Sequence, residues 1–353
     1  MIKYIGSKRV LVPRIVDIVE RIPGVSSACD LFTGSTRVAQ GLKQAGLHVT
    51  TNDLASYSEV LATCYVVADR DALDLDRLRA QLHHLQHLAG VDDYVTETFC
   101  RQARYFQPHN GMRIDAIRAE IDVIAPDPIE WAILMTSLLE AADRVDSTTG
   151  LHMAYLKQWA PRSFNDLELR LPELLPGTGR ALRSDANELA PQLAGMVDLT
   201  YVDPPYNQHS YYSNYHIWET LVRNDQPETY GIARKRVDCR STKSEYNSRP
   251  RSWAAFSSLV RAIETPWLLV SFSDEGFFTR EAIVELLEER GETAVLPVDH
   301  KRYVGARIGI HNPQGARVGA VSHVRNREFL FLTGDGAGAI MDAAREPLAG
   351  AAG

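Results

Sequence analysis

The chain has 353 residues, of which 45% are hydrophobic and 24% charged, a composition typical of a globular protein. Its net charge of −7 by itself argues against nucleic-acid binding. Its longest apolar run (near 131–139) is too short to span a bilayer. The first ten residues, MIKYIGSKRV, lack the apolar core of a signal peptide. A reducing cytoplasm is favoured over a disulfide framework or a zinc knuckle, because no CxxC pair occurs among Cys29, Cys64, Cys100 and Cys239.

The net charge conceals two basic segments. Residues 231–252 contain seven Lys or Arg against two acids, and residues 299–328 contain six against two. Such segments can form a local phosphate-binding face on a protein that is acidic overall. The alternative is that both are solvent-exposed loops that bind nothing.

The first elements predict a βαβ unit, the start of a doubly wound sheet. Residues 26–32 have the pattern of a strand, residues 37–46 that of a helix ended by Gly46, and residues 48–53 that of a second strand. The pattern then becomes helical from 54 to 179.

Two helices stand out within this helical stretch. Residues 112–124 repeat isoleucine at helical spacing. The next helix opens with Asp127-Pro128-Ile129-Glu130, which offers an N-cap acid, a proline at the first helical position and a glutamate that could complete a capping box. Its continuation is apolar nearly all round, so we expect it to be buried.

Strands and helices alternate again after residue 180. Strands are predicted at 181–185, 197–202, 267–273, 293–300 and 327–333, with a helix at 279–291 and a Gly- and Arg-rich stretch at 304–325. The Ala- and Gly-rich residues 334–353 predict a flexible tail. The simplest organisation is one α/β domain, 1–53 and 180–333, interrupted by a helical insertion, 54–179.

Three polar turns follow predicted strands, and ligands of open α/β sheets bind beyond the carboxyl ends of strands. In DLFTGST (30–36), Gly34 permits close approach of the backbone, and the next helix presents free N–H groups. Asp53 ends the second strand, where Rossmann-like units hold ribose hydroxyls. Asp203-Pro204-Pro205-Tyr206 ends a third strand, and its two prolines hold an acid and a ring stiffly side by side.

The chain resembles the Dam-like, D12 class of DNA adenine-N6 methyltransferases, of the alpha group, in five motifs that occur in the family's order. These are KYIGSK (3–8), DLFTGS (30–35), ND (52–53), SDA (184–186) and DPPY (203–206). The resemblance covers the catalytic half well and the helical insertion only loosely. It implies an α/β fold: a Rossmann-like S-adenosylmethionine-dependent methyltransferase sheet with an inserted, mainly helical domain.

The resemblance also implies which residues bind S-adenosylmethionine. They are Tyr4, Lys8, Asp30, Phe32, Gly34, Asp53, Asp185 and Asp203. Asp53 would hold the ribose hydroxyls, Asp185 would lie near the adenine, and the loop at 30–34 would surround the methionine end. Thr36 departs from the family, many members of which have a second glycine there, so the detailed contacts of this loop are not carried over.

The implied chemistry assigns the catalytic role to Asp203, Pro204, Pro205 and Tyr206. The exocyclic amine of adenine is a poor nucleophile, because its lone pair is delocalised into the ring. The Asp203 carboxylate and the Pro204 carbonyl would accept its N–H bonds and localise that pair. Tyr206 would stack on an adenine flipped out of the duplex, and the methyl group would pass directly to N6 without a covalent enzyme intermediate.

Double-stranded DNA is the implied partner, and no membrane partner is expected. The helical insertion is the expected target-recognition region, because sequence reading needs a surface separate from the catalytic motif. In the first basic segment the expected DNA contacts are Arg234, Lys235, Arg236, Arg240 and Lys243. The recognised site, the oligomeric state and the existence of a cognate restriction endonuclease are left open.

Two other groups of residues have competing explanations. His83, His84 and His87 lie within helical spacing, but no set of Cys or carboxylates accompanies them, which favours an exposed helix face and no metal. The aromatic-rich residues 209–221 directly follow the tetrad. They either line the pocket for the flipped base or pack in the core.

The predicted function is site-specific adenine-N6 methylation of duplex DNA by a cytoplasmic enzyme, either alone or within a restriction–modification system. One alternative is a methyltransferase that acts on RNA or on a protein amide, since the same core can serve any planar nitrogen. The other is an inactive DNA-binding protein on this scaffold. The insertion and the basic segments favour duplex DNA, and the filled catalytic positions favour an enzyme.

Overall fold

The computed structural model of the chain describes residues 2–301, 310–311, 317–319 and 325–346. The strands in this part of the chain are β1 (Ser27–Asp30), β2 (His48–Asn52), β3 (Gly179–Leu182), β4 (Leu199–Val202), β5 (Thr229–Tyr230), β6 (Lys235–Arg236), β7 (Trp267–Ser273), β8 (Thr293–Lys301), β9 (Ile310–His311), β10 (Arg317–Gly319) and β11 (Arg325–Thr333).

The α-helices of the described residues are α1 (Val12–Glu20), α2 (Arg37–Gln44), α3 (Ser56–Ala62), α4 (Leu75–Gln86), α5 (Pro108–Ile124), α6 (Pro128–Val145), α7 (Ala186–Leu189), α8 (Tyr211–Asn214), α9 (His216–Arg223), α10 (Arg249–Ala262), α11 (Arg280–Glu288) and α12 (Ala337–Ala343). Two π-helical turns, Thr63–Val67 and Thr96–Arg101, lie between the helices of the central part.

Seven strands form a mostly parallel sheet in the order β3-β2-β1-β4-β7-β11-β8, which confirms the predicted α/β class. Strands β1, β4 and β7 run parallel, with Asp30 opposite Tyr201 and Val202 opposite Val270. Strand β11 is antiparallel to both β7 and β8. The strand order changes direction at β1 and β4, and crevices at such points are where open α/β sheets bind ligands.

The chain divides into two compact units. The first contains Met1–Ser7, Thr33–Asp185 and His209–Ser244, and the second contains Lys8–Phe32, Ala186–Gln208 and Glu245–Gly353. The first unit therefore groups β2 and β3 with the helices of the predicted insertion. The division into a catalytic domain and a recognition domain remains a proposal, because packing units need not coincide with functional domains.

The first unit packs around α6, which is buried nearly all round, as its apolar sequence predicts. The Asp127 side chain accepts hydrogen bonds from the N–H groups of Ile129 (2.9 Å) and Glu130 (3.0 Å), which confirms the predicted N-cap. Strand β3 begins at Gly179, before the predicted start at 181. A glycine is required there, because a Cβ atom would lie 2.5 Å from the Val49 carbonyl oxygen of the neighbouring strand.

The second unit contains β1, β4, β7, β8 and β11 with α10, α11 and α12. The prediction of a flexible tail from residue 334 is wrong as far as residue 346, because α12 buries Ala337 and Met341 completely. Residues 347–353, like most of the stretch at 304–325 and of the basic segment at 299–328, lie outside the described residues. Within that segment the described Arg327 pairs with Asp299 at 2.9 Å.

None of the helices in the described ranges combines the length and the apolar character that crossing a bilayer demands.

Replacing the N-cap of α6 tests the packing of the first unit. Asp127→Ala should lower the free energy of unfolding by about 1 kcal/mol, because two N–H groups at the helix start lose their acceptor. Asp127→Asn is the matched control, since asparagine caps about as well as aspartate. Urea denaturation followed by circular dichroism measures both; equal loss in the two variants would contradict a capping role.

Candidate active site

The Asp203-Pro204-Pro205-Tyr206 tetrad lies at the carboxyl end of β4, in the second unit. The buried strand ends at Val202, and the Asp203 side chain keeps 17% of its surface exposed. The Tyr206 carbonyl accepts a hydrogen bond from the Phe277 N–H at 3.0 Å, which fixes the far end of the tetrad. Rigid prolines and this bond hold the acid and the ring in place.

A buried lysine pairs with the acid of the tetrad. The Lys8 side chain is 5% exposed, and its Nζ lies 3.1 Å from Asp203 Oδ1 and 2.9 Å from Glu328 Oε1. Burial alone would lower the pKa of Lys8, but the two carboxylates raise it well above its usual value. Lys8 therefore stays charged in the pH range of biology.

Asp203 also receives a hydrogen bond from a neighbouring strand. The Tyr201 hydroxyl donates to Ser271 Oγ at 2.9 Å, and the Ser271 hydroxyl donates to Asp203 Oδ1 at 2.8 Å. Both Tyr201 and Ser271 are buried, on β4 and β7. The relay and Lys8 meet at the same carboxylate oxygen, so the orientation of the carboxylate is fixed.

The acid of the tetrad titrates close to neutrality. Burial raises the pKa of Asp203 to about 6, and Lys8 opposes this shift, whereas the nearby Glu328 carboxylate adds to it. The carboxylate form, which accepts hydrogen bonds, is therefore the main form at neutral pH and is lost as the pH falls through about 6.

The ring of Tyr206 lies between charged and aromatic neighbours in the same unit. Its centroid is 5.4 Å from Lys8 Nζ and 5.5 Å from the ring of Phe272. Burial raises the pKa of Tyr206 to about 12, so its hydroxyl remains protonated at neutral pH. This ring is half-buried, as a stacking surface for a planar group requires.

Two more predicted cofactor residues lie in the second unit, at and just after the end of β1. Asp30 is 2% exposed, and the Leu31 N–H donates to the Tyr201 carbonyl at 3.0 Å, so the chain leaves β1 alongside β4. Phe32 packs edge-on against Tyr246, with ring centroids 5.3 Å apart.

Three predicted cofactor residues meet in the first unit. The Gly34 N–H donates to Asp53 Oδ2 at 2.9 Å, and the Ala55 N–H donates to Asp53 Oδ1 at 3.0 Å. Gly34 has φ +49°, and a Cβ there would lie 3.0 Å from the ring of Tyr4. The turn after β1 therefore needs glycine both for its backbone conformation and for the close passage of the Tyr4 ring.

An aromatic stack surrounds Tyr4. Its ring stacks on Tyr215 at 4.5 Å and on Tyr211 at 5.4 Å, and its hydroxyl lies 3.3 Å from that of Tyr57. Burial, with Tyr57 and Asp53 nearby, raises the pKa of Tyr4 well above its usual value. Within the aromatic-rich segment 209–221, core packing is confirmed for the fully buried Tyr215 and Trp218, whereas Tyr211 is partly exposed beside Tyr4.

Asp185 is exposed and follows β3, at the same end as Asp53. The Asn52 side chain donates to the Ser184 carbonyl at 3.1 Å and accepts from the Ser184 N–H at 3.0 Å. These two hydrogen bonds hold Ser184, the residue before Asp185, against the end of β2. The ends of β2 and β3 in the first unit thus carry Asp53 and Asp185 on adjacent strands.

The structure removes one residue from the predicted DNA contacts. Arg236 is 1% exposed, and its guanidinium binds both carboxylate oxygens of Asp225 at 2.7 Å and Asp238 at 2.8 Å. A guanidinium that is buried and paired twice is not available to phosphates, so this prediction is wrong. Arg240 lies over the ring of Tyr230 at 4.1 Å, and Arg240 and Lys243 are exposed.

The three predicted histidines lie on and just after α4. His84 Nε2 lies 2.8 Å from Glu120 Oε1, and the rings of His83 and His87 are 4.2 Å apart. Nowhere in the described ranges do three His, Cys, Asp or Glu side chains converge as a metal site requires.

Two residues of this network, Ser271 at Asp203 and Glu328 at Lys8, were not predicted from the sequence. Ser271 is a polar residue inside the buried strand WLLVSFS, and this interruption of an apolar run could have signalled it. Glu328 was considered only as one of the acids in a basic segment. Its 4% exposure on β11 could not be foreseen from charge alone.

Comparisons with known proteins agree with this geometry. The model of the D12 class N6 adenine-specific DNA methyltransferase family matches residues 4–263. The chain belongs to this family. The match includes both halves of the predicted site, from Tyr4 to the tetrad, and it confirms the resemblance carried by the five motifs.

Three curated relatives of this family illustrate the range of similarity. The chain is 31% identical over 87% of its length to "Modification methylase StsI" of Streptococcus sanguinis, and 29% identical over 85% to "Type II methyltransferase M.FokI" of Planomicrobium okeanokoites. It is 26% identical over 92% to "Type II methyltransferase M.NlaIII" of Neisseria lactamica. The chain spans about half of the first two relatives (49% and 48%) and 99% of the third.

The ionic contacts of Asp203 predict opposite shifts in two variants of this family member. Lys8→Met should raise the pKa of Asp203 above about 6, because the cation that opposes burial is lost. Glu328→Gln should lower it, because a neighbouring negative charge is lost. Carbon-13 titration of labelled Asp carboxyl groups, assigned with Asp203→Asn, measures both; shifts of the same sign would show that the network is not coupled as described.

Proposed function

We propose that this D12-class methyltransferase transfers a methyl group from S-adenosylmethionine to N6 of a specific adenine flipped out of double-stranded DNA. The observation that carries the proposal is the Asp203 carboxylate, held rigidly by Lys8 and Ser271 at the end of β4. An acceptor so fixed, next to a half-buried Tyr ring, suits a planar base bearing an exocyclic amine.

The residues of the first unit fit the proposed cofactor. Tyr4 passes so close to Gly34 that a side chain at 34 would fill the space against its ring, and Asp53 is fastened to the same turn. Bound S-adenosylmethionine supplies a methyl group on a sulfonium, a cation of the kind attracted to aromatic faces. Tyr4 would contact this cofactor, Asp53 its ribose and Asp185 its adenine.

Further cofactor contacts are proposed for the second unit. Asp30 and Phe32, which precede Gly34 in the same loop, would contact the cofactor. Lys8 and Asp203 are the remaining residues proposed to bind it. Lys8 already pairs with Asp203 and Glu328, so in this proposal its first effect is on the tetrad. Its direct contact with the cofactor remains a prediction.

The catalytic half prepares the amine by hydrogen bonding. Asp203 and the Pro204 carbonyl would each accept a hydrogen bond from one N–H of the target amine. These two bonds would orient the lone pair of N6 toward the methyl carbon. Pro205 keeps this carbonyl and the carboxylate from drifting, and Tyr206 would stack on the base. The carboxylate need not take a full proton before transfer, so its pKa of about 6 does not hinder its role at neutral pH.

The partners are proposed on the same basis. Duplex DNA is the substrate, and 54–179 is the target-recognition region. The names of the relatives, modification methylase and type II methyltransferase, favour a restriction–modification system with a cognate endonuclease. Four buried free cysteines agree with a cytoplasmic location.

Asp203→Ala should slow methyl transfer by about a hundredfold or more, because a preorganised hydrogen-bond acceptor is lost. Asp198→Ala is the control. Asp198 lies just before β4 and accepts hydrogen bonds from Ser26 and Ser27, away from the tetrad. Single-turnover transfer from labelled cofactor, with DNA and RNA offered separately, measures the rates and separates the two substrates. Near-normal turnover by Asp203→Ala, or transfer to RNA alone, would refute the proposal.

Asp53→Ala should weaken S-adenosylmethionine binding and leave DNA binding nearly unchanged. The reason is the loss of both the proposed ribose contact and the anchor of the Gly34 N–H. Asp74→Ala, which removes a helix cap in the same unit, controls for general loss of stability. Calorimetric titration with the cofactor decides the matter: unchanged affinity in Asp53→Ala would remove Asp53 from the site.

A further inference from the structure

A short hairpin in the first unit presents an aliphatic side chain to solvent. Strands β5 and β6 pair through Thr229 with Arg236 and Tyr230 with Lys235, and residues 231–234 form the turn. Ile232 lies in this turn and is 81% exposed. Among the residues whose exposure the structure describes, no other large apolar side chain is so accessible.

The hairpin is anchored firmly although its tip is exposed. Its second strand is held by Arg236, whose buried guanidinium pairs with Asp225 and Asp238. The turn itself is held by the Tyr105 hydroxyl, which donates to the Ala233 carbonyl at 3.0 Å. A single exposed isoleucine is ordinary on a protein surface, but here a buried double ion pair and a tyrosine hold it outward.

The same anchor connects the hairpin to the proposed cofactor residues through packed rings. Tyr105 lies 6.0 Å from His152, His152 lies 6.0 Å from Tyr215, and Tyr215 stacks on Tyr4 at 4.5 Å. All of these residues belong to the first unit. The tip of the hairpin is therefore fixed with respect to Tyr4 by a continuous set of buried contacts.

Cations flank the exposed side chain. Arg234 and Lys235 follow it after Ala233, and Arg240 covers the ring of Tyr230 on the first strand. Glu228, just before the hairpin, is exposed, whereas Asp225 and Asp238 are engaged by Arg236, and Asp93 binds Gln226 ahead of the hairpin. An apolar tip among basic residues matches the chemistry of duplex DNA, with stacked bases inside and phosphates outside.

We propose that Ile232 is a wedge that inserts into the base stack of duplex DNA, with Arg234 and Lys235 on the adjacent phosphates. Insertion of an aliphatic side chain between base pairs lowers the cost of unstacking a nucleotide, because it replaces part of the lost stacking surface. The wedge promotes extrusion of the target adenine. This inference rests on the proposed function, since it concerns how the adenine leaves the duplex.

The test compares a paired target with an unpaired one. The substrate is a duplex with the site mapped by sequencing methylated adenine in plasmid from cells that express the full chain. A second duplex has an abasic position opposite the target adenine, so that the base is already unpaired. Single-turnover methyl transfer is measured on both, and fluorescence of 2-aminopurine in place of the target adenine reports its unstacking.

Ile232→Ser should slow transfer to the paired duplex on the order of tenfold, equivalent to about 1.4 kcal/mol, and reduce the fluorescence rise. Its rate on the unpaired duplex should stay within about twofold of the unaltered chain. Ile232→Leu should restore both signals. Met196→Ser, which changes a residue 46% exposed before β4, at the strand end away from the tetrad, is the matched control and should behave like the unaltered chain.

Two outcomes would overturn the wedge while leaving the proposed function in place. One is transfer and fluorescence unaffected by Ile232→Ser on the paired duplex, which would make Ile232 a passive surface residue. The other is an equal loss on both duplexes, which would indicate a contact unrelated to unstacking. Absence of transfer to either duplex by the unaltered chain would instead overturn the proposed function itself, and the wedge with it.

Discussion

The proposed catalytic half of this protein depends on one buried cation, the ammonium of Lys8, which pairs with the carboxylates of Asp203 and Glu328. A buried charge is costly unless it is paired, so removing Lys8 would leave two neighbouring carboxylates in the interior without their counter-charge. The three residues come from the start of the chain, the end of β4 and the strand β11. The tetrad therefore acquires its final electrostatic environment only when distant segments have packed together.

This arrangement explains why Ser271 matters as much as the prolines. The prolines restrict the backbone of the tetrad, but they leave the Asp203 side chain free to rotate. Lys8 and the Ser271 hydroxyl bind the same oxygen, Oδ1, and so fix the plane of the carboxylate. In the first unit the turn at Gly34 is fixed in a similar way. The Gly34 N–H donates to Asp53, and the Tyr4 ring packs against the turn. Each half is preorganised by contacts within its own unit.

The sequence predicted what local patterns encode. Strand β7 was predicted to the residue, Asp127 was recognised as a cap, and the motifs at strand ends were placed correctly on β1, β2 and β4. Contacts made across long separations were not predictable. Glu328 pairs with a lysine at the other end of the chain, and Gly179 was assigned to the end of the helical stretch, although it begins β3 and permits the close approach of two strands. The buried helix α12 was missed because alanine and glycine are also frequent in flexible tails.

The basic segment at 231–252 shows most clearly why counting charges misleads. The guanidinium of Arg236 is paired with Asp225 and Asp238, and that of Arg251 is paired with Glu245. Fewer cations than the sequence suggests can therefore contact phosphates. Counterion release, which scales with the number of phosphates neutralised, is correspondingly smaller. An acidic protein with a modest electrostatic contribution must obtain more of its hold on DNA from contacts that salt does not screen. The proposed wedge, an isoleucine buried among stacked bases, would supply a contact of that kind.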